Sequence, residues 1–300
     1  MPDSWRHVGR LPRTLLAAAL IGVTLIATGL LKPARAQTPT VLRVSVLPVG
    51  SPVELSRRYA PLGRYLEQAL DRKIEWTQSA DYEASVEALV NGTIDLAMLG
   101  GFTLVQAQMR SGGKIIPLVQ RDKDANYRSM FITPVDSGIR RLEDLKGRSL
   151  SFGPRSSTSG HLMPRAFLLA AKIDPEKDLR QVAYASGHDA TVAAVVAGKV
   201  DAGVLHVYAW EKLVAAGRVD TSTLRVFYTS PPFSDTNWSV HADMPAATRK
   251  AITAAFLRID GSTPEEQEIL ALQEATKFVP TRVENYQRIR AVAESAGLLK

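Results

Sequence analysis

The sequence predicts an α/β protein of two lobes with a cleft between them, and three observations carry that prediction. Short β-branched runs alternate with longer helical ones through most of the 300 residues. One αβ unit occurs twice: "DYEASVEALVNGTIDLAML" (81–99) and "GHDATVAAVVAGKVDAGVL" (187–205) align without a gap at a spacing of 106 residues. No segment between the units reads as a flexible tether, so two crossing strands are expected to join the lobes, near 126–130 and 226–230.

The elements follow in order. Residues 41–47 alternate as a strand, and Ser51-Pro52 makes a cap and first turn for a helix over 53–70, with Leu55, Tyr59, Leu62, Tyr65 and Leu66 on one stripe. In each copy of the repeat an apolar helix ends at a glycine suited to a left-handed cap, Gly92 or Gly198, and a buried strand is expected within two residues. Residues 114–120, 127–134 and 149–153 read as strands and 142–147 as a short helix. Residues 223–233 are a strand running into a Pro-rich turn. Helices are expected over 245–259, 264–276 and 283–296, with Asp243 and Thr263 at cap positions and Pro245 and Pro264 in first turns.

Composition narrows the function classes. A hydrophobic fraction of 45% without a low-complexity tract suits a packed globular chain. Arg6, Arg10 and Arg13 precede an uncharged run over 15–31, and Ala34-Arg35-Ala36 fits a small-x-small cleavage site, so residues 1–36 read as a signal peptide and the mature chain is expected to begin at Gln37. That leader holds five Lys or Arg and one acidic residue, so its removal lowers the net charge from +7 to +3. A modestly basic surface with no basic run interleaved with aromatics does not point to nucleic acid. There is no cysteine to carry a lipid, a thiolate metal site or thiol chemistry, which favours a freely soluble periplasmic protein. The five histidines lie without ligand spacing, so neither a metal nor a cofactor is expected. The lobes are expected to comprise 37–126 with 231–300, and 127–230.

The chemistry concentrates in "SFGPRSSTSGHLMPRAF" (151–167), read as strand, loop and a helix from about Gly160 to Ala171. Ser157, Thr158 and Ser159 before Gly160 set hydroxyl donors and unpaired N–H groups at the positive end of a helix, an arrangement suited to a tetrahedral oxyanion. A plain helix cap uses the same residue types. His188 stands beside Asp189, a candidate cap for the second repeat's helix, and Gly100-Gly101-Phe102-Thr103 in the first lobe reads as another strand-to-helix turn that can face the same cleft. Asp95 and Asp201 occupy equivalent places in both repeats and read as structural.

These segments together resemble the substrate-binding proteins of phosphate, phosphite and phosphonate ABC transporters, the PhnD-like group, from about Val41 to Leu298. The resemblance rests on "DYEASVEALVNGTIDLAMLGG", "YRSMFITPVDSGIRRLEDLKGRSLSFG", "SSTSGHLMPRAFL", "SGHDATVAAVVAGKVDAG", "TSPPF" and "FVPTRVENYQRIRAVAESAGL". It implies a type II periplasmic-binding-protein fold and a monomer that captures a small oxyanion by cleft closure and hands it to a membrane permease. It further implies that Ser157, Thr158, Ser159 and His188 hold the anion while Tyr82 and Tyr127 close over it. Relatives that bind aminoalkyl phosphonates place carboxylates at the ammonium tail. Here "VLHVYAWEK" puts Tyr208 at that place, with Glu211 or Asp235 as substitutes, and His206 and Tyr208 share a face if the strand runs that far. A compact or uncharged tail follows, with the surroundings of Asn237-Trp238 expected to shape that end of the pocket. A sensor that presents its bound form to a membrane kinase is the alternative within the same fold. A hydrolase built on Ser157, His188 and Asp201 is disfavoured because no G-x-S-x-G elbow occurs.

Overall fold

The structure, a computed structural model, describes residues 41–299. The signal peptide expected over 1–36 lies outside the described residues. From the N-terminal side the chain forms β1 (Val41–Val46), α1 (Pro52–Leu70), β2 (Lys73–Gln78), α2 (Tyr82–Val90), β3 (Leu96–Leu99), α3 (Gly101–Arg110) and β4 (Ile115–Arg121). It continues through β5 (Ser129–Pro134), β6 (Ser149–Phe152), α4 (Met163–Ala170), α5 (Pro175–Asp178), β7 (Gln181–Tyr184), α6 (His188–Val196), β8 (Ala202–His206), α7 (Val207–Ala215) and β9 (Leu224–Thr229). It ends with β10 (Asn237–His241), α8 (Ala246–Leu257), α9 (Pro264–Gln273), β11 (Phe278–Pro280) and α10 (Gln287–Ser295).

Two mixed sheets result, ordered β11-β4-β10-β3-β1-β2 and β7-β6-β8-β5-β9. Each is the sheet of one lobe. The chain passes between them before β5 and after β9, where Tyr127 and Phe233 exchange backbone hydrogen bonds of 2.9 and 3.0 Å. β3 and β6 are buried at every residue because both faces are covered, and β3 (LAML) reads as a continuous apolar run. Leu62 and Leu66 of α1 and Leu89 of α2 are fully buried against the first sheet. Each such side chain stabilises the fold by about 2–3 kcal/mol relative to exposure.

The repeat has a structural reason. Gly92 and Gly198 take left-handed conformations, φ +69° and +64°, and end α2 and α6. Asp95 then accepts the Arg43 N–H of β1 at 2.8 Å, and Asp201 accepts the Ser149 N–H of β6 at 2.8 Å. Each carboxylate thereby ties its helix-to-strand turn to the neighbouring parallel strand. The strands begin at Leu96 and Ala202, two residues later than the pattern predicts, because these aspartates and the residues before them are spent on the turn.

Other expectations need correction. Asp243 does not cap α8: Pro245 holds the cap position without a side-chain bond, and the Asp243 carboxylate meets Lys114 at 3.2 Å. Thr263 does cap α9, with Glu266 completing a capping box. The helix expected from Gly160 is a π-helical turn over Thr158–Leu162 that passes into α4. β8 stops at His206, where α7 begins, so the condition under which His206 and Tyr208 would share a strand face is not met. Strands β2, β7, β10 and β11 have no counterpart in the sequence reading.

Candidate functional site

The hydroxyl run occupies the turn after β6. Ser157 is the N-cap: its Oγ accepts the Gly160 N–H at 3.0 Å, and its carbonyl accepts the His161 and Leu162 N–H groups at 3.2 and 3.1 Å. The wide π turn leaves the Thr158 and Ser159 N–H groups without a backbone partner at the cleft wall. Capping uses a lone pair of Ser157 Oγ, so its O–H hydrogen stays available as a donor. The turn is propped from behind. His161 Nδ1 donates to the Arg155 carbonyl at 2.7 Å, and Ser129 Oγ donates to the Ser159 carbonyl at 2.7 Å. Glycine at 160 lets the backbones approach closely: a Cβ there would stand 3.1 Å from Gly153 Cα and 3.0 Å from Ser157 Oγ, tight enough to push on both.

A cleft of about 1060 Å³ lies between the lobes, and Ser157, Thr158, Ser159, His188, Tyr82, Tyr127 and Tyr208 all line it. His188 opens α6. The N-cap of that helix is Gly187, not Asp189, whose carboxylate instead pairs with Arg218 at 2.9 Å. A glycine cap offers no side-chain acceptor, so the first N–H groups of α6 face the cleft as a second positive helix end. Burial lowers the His188 pKa to about 4, and its Nδ1 is buried without a partner. The ring is therefore neutral at physiological pH. Burial likewise raises the pKa values of Tyr82, Tyr127 and Tyr208, so all three phenols remain O–H donors.

The first-lobe turn at Gly100 is occupied differently from the sequence expectation. The Gly101 N–H donates to Asp235 Oδ1 at 2.9 Å, the Phe102 N–H donates to Thr158 Oγ1 at 2.9 Å, and the Gly100 N–H is taken by Thr103 Oγ1 at 2.8 Å. The start of α3 thus holds a carboxylate and the tip of the opposite lobe's hydroxyl loop. Asp235 was a candidate for a tail-binding carboxylate, but it sits against the hydroxyl loop instead. Burial raises its pKa to about 6 while the Thr158 hydroxyl and the Gly101 N–H hold it down. Glu211 does not line the cleft; around Asn237-Trp238, Asp235 and Thr236 line it, while Asn237 and Trp238 themselves are buried within β10. Asp201 also lies outside the cleft, bound to Ser149 and Arg180, so the Ser157–His188–Asp201 triad is not assembled.

Cations line the outer cleft, each engaged by another group. Arg121 pairs with Asp124 at 2.7 Å, Lys212 with Glu54 at 2.6 Å across the mouth, and Arg155 stacks 3.8 Å over the Tyr184 ring. Beside the hydroxyl loop stand two helix starts, hydroxyls, a neutral imidazole and one acceptor carboxylate.

Residues 44–286 match the model of the ABC transporter phosphonate periplasmic substrate-binding proteins. The chain belongs to that family. A probable ABC transporter phosphite binding protein, PhnD1 of Prochlorococcus marinus (strain MIT 9301), is 27% identical over 273 residues, 87% of this chain and 92% of the relative. The phosphate-import protein PhnD of Mycolicibacterium smegmatis is 31% identical over 198 residues, 62% of this chain and 60% of that protein. The solved structure of PhnD1 in complex with methylphosphonate superposes with a TM-score of 0.81, covering 86% of this chain and 99% of its own. The two-lobed type II binding-protein fold and the role of the family, substrate binding for transport, follow for this member. No helix among the described residues is long and apolar enough to cross a membrane.

Asp235 is a cleft residue that the sequence offers only as a substitute tail carboxylate, not as a partner of the hydroxyl loop. It lies 134 positions from the Gly101 amide that it accepts. The "TSPPF" segment just before it was the available signal.

Proposed function

We propose that this family member is a monomeric periplasmic protein that captures a small phosphorus oxyanion in a protonated form and delivers it to the permease of an ABC importer. Exchange of a covalent bond is no part of this role. The observation that carries the reading is the meeting of unpaired N–H and O–H donors from two helix starts with the buried carboxylate of Asp235. Donors alone would suit any tetrahedral anion. A carboxylate beside them repels a fully ionised guest but accepts a hydrogen bond from one that keeps a P–OH group. Phosphate and hydrogen-bearing phosphonate monoanions meet that demand, whereas sulfate at neutral pH has no proton to give. The names of the relatives, which bind or import phosphite, phosphate or methylphosphonate, support the same ligand class.

The test is a thermal-shift panel of phosphate, phosphite, methylphosphonate and sulfate on the purified mature protein. A ligand at about 100 times its Kd stabilises by about 2.7 kcal/mol through mass action. A clear upward shift with one of the phosphorus anions and none with sulfate is expected. A folded protein that responds to none of the three sinks the reading.

The Lys212–Glu54 pair across the mouth is half-exposed on both sides, so its contribution to closure is small, about 0–1 kcal/mol, and is screened by salt. Lys212→Ala is expected to weaken anion affinity less than about fivefold, with the difference vanishing in 0.5 M salt (about 4 Å screening length). A loss beyond tenfold would give the pair a larger part.

A further inference from the structure

His206 faces the same cleft with a ring nitrogen that no task accounts for. It ends β8 and caps α7, its Nδ1 accepting the Ala209 N–H at 3.0 Å. An acceptor at Nδ1 fixes the proton of the neutral ring on Nε2. Nε2 has no hydrogen-bond partner among the described residues, and the side chain lines the cleft. The ring meets His188 edge-on with centroids 4.2 Å apart and lies 5.1 Å from the Tyr127 ring. His188 in turn touches the hydroxyl loop, its Cε1 standing 3.3 Å from where a Gly160 Cβ would be. His206 is therefore the next ring outward from the loop, on the side closed by Tyr127.

The surroundings keep this ring an N–H donor. Burial first, then His188, Arg121, Lys123 and Arg58, drive its pKa well below the ordinary value. Those cations come from α1, β4 and the turn after it. Arg121 is bound to Asp124, and Lys123 and Arg58 share Glu274 at 3.0 and 3.6 Å. A neutral donor locked in one tautomer and turned into the cleft is available to a guest that supplies the acceptor.

We propose that His206 is a further ligand-contacting residue, donating its Nε2–H to the bound anion from the Tyr127 side of the pocket. The proposal rests on the oxyanion reading given above. Two substitutions separate contact from capping. His206→Asn keeps an acceptor where Nδ1 caps α7 but has no donor that reaches the Nε2 position, and Asn is among the best N-cap residues. His206→Gln carries an amide N–H to the Nε2 position and gives up the cap.

Titration calorimetry with phosphate, phosphite and methylphosphonate, alongside melting of the ligand-free proteins, provides the test. His206→Asn is expected to melt within about 2 °C of wild type, as a retained cap implies. Its affinity should nevertheless fall about tenfold or more, the scale of one hydrogen bond to a charged group. His206→Gln should recover to within about threefold of wild type. Asn at wild-type affinity, or Gln no tighter than Asn, overturns the contact while leaving the oxyanion reading intact. A wild-type protein silent toward all three anions overturns both.

Discussion

Asp235→Asn is expected to raise the stability of the ligand-free protein at pH 7.5 and to weaken its hold on a protonated anion. The carboxyl is 4% exposed, and its pKa stands at about 6 against an ordinary 3.8. A carboxyl that keeps its proton more firmly in the fold than in the unfolded chain contributes stability below 3.8. That contribution is lost as pH rises through about 6. Above pH 6 the ionised group costs the fold about 3 kcal/mol relative to its neutral form. Asparagine has the shape of the neutral acid and still offers an oxygen to the Gly101 N–H. A gain of about 1–3 kcal/mol, roughly 3–8 °C in Tm, should appear at pH 7.5 and vanish near pH 4. Binding moves the other way. Losing an ionised acceptor for the ligand's P–OH should reduce affinity about 10- to 150-fold, and the amide donor left in its place should narrow the preference for phosphate over sulfate. Melting curves at the two pH values and titrations with both anions check the pair of effects. A variant that is no more stable at pH 7.5 and binds as tightly as wild type would remove Asp235 from the site.

Local sequence rules point to part of the candidate cleft lining and pass over the roles of other residues in it. Ser157, Thr158, Ser159 and Gly160 were legible because a cap, a tight backbone approach and a strand-to-helix junction are all local, and they leave a hydroxyl cluster in the sequence. His188 was legible by the same route, at the start of the repeat's helix, although its cap is Gly187 and not Asp189. Asp235 was legible only as a substitute tail carboxylate, and His206 only as a neighbour of Tyr208. Their roles depend on partners far along the chain: Asp235 on the Gly101 amide, and His206 on the rings of His188 and Tyr127. The fold shows the same division. The buried central strands β3 and β8 announce themselves by apolar runs. The edge strand β2 has one buried residue in six, and β11 has only three residues, so neither carries a periodic signal. In β10, Asn237 and Ser239 are buried polar residues that bond to each other at 2.6 Å, a pairing that hides a central strand behind polar letters.

Thr158→Val is expected to weaken anion binding about 5- to 150-fold, and most of the loss should come from faster release. The Thr158 hydroxyl accepts the Phe102 N–H from the other lobe at 2.9 Å and also faces Asp235. Its side chain is therefore a clasp between lobes, and the part left for the guest is its backbone N–H. Valine keeps the shape and deletes the hydroxyl, so on closure the Phe102 amide and one side of Asp235 are buried without that partner, a cost of about 1–3 kcal/mol. These contacts exist only when the lobes meet. The penalty thus falls on the closed state, and a ligand shifts the open-to-closed equilibrium only by its preference for the closed form. Stopped-flow release should speed up by most of the affinity loss, while the association rate changes little. Thr158→Ser restores the hydroxyl and should restore slow release. A serine variant as fast as valine, or a valine variant as slow as wild type, would show that closure is held elsewhere. In that case the meeting of α3 with the hydroxyl loop would be packing without consequence for the grip.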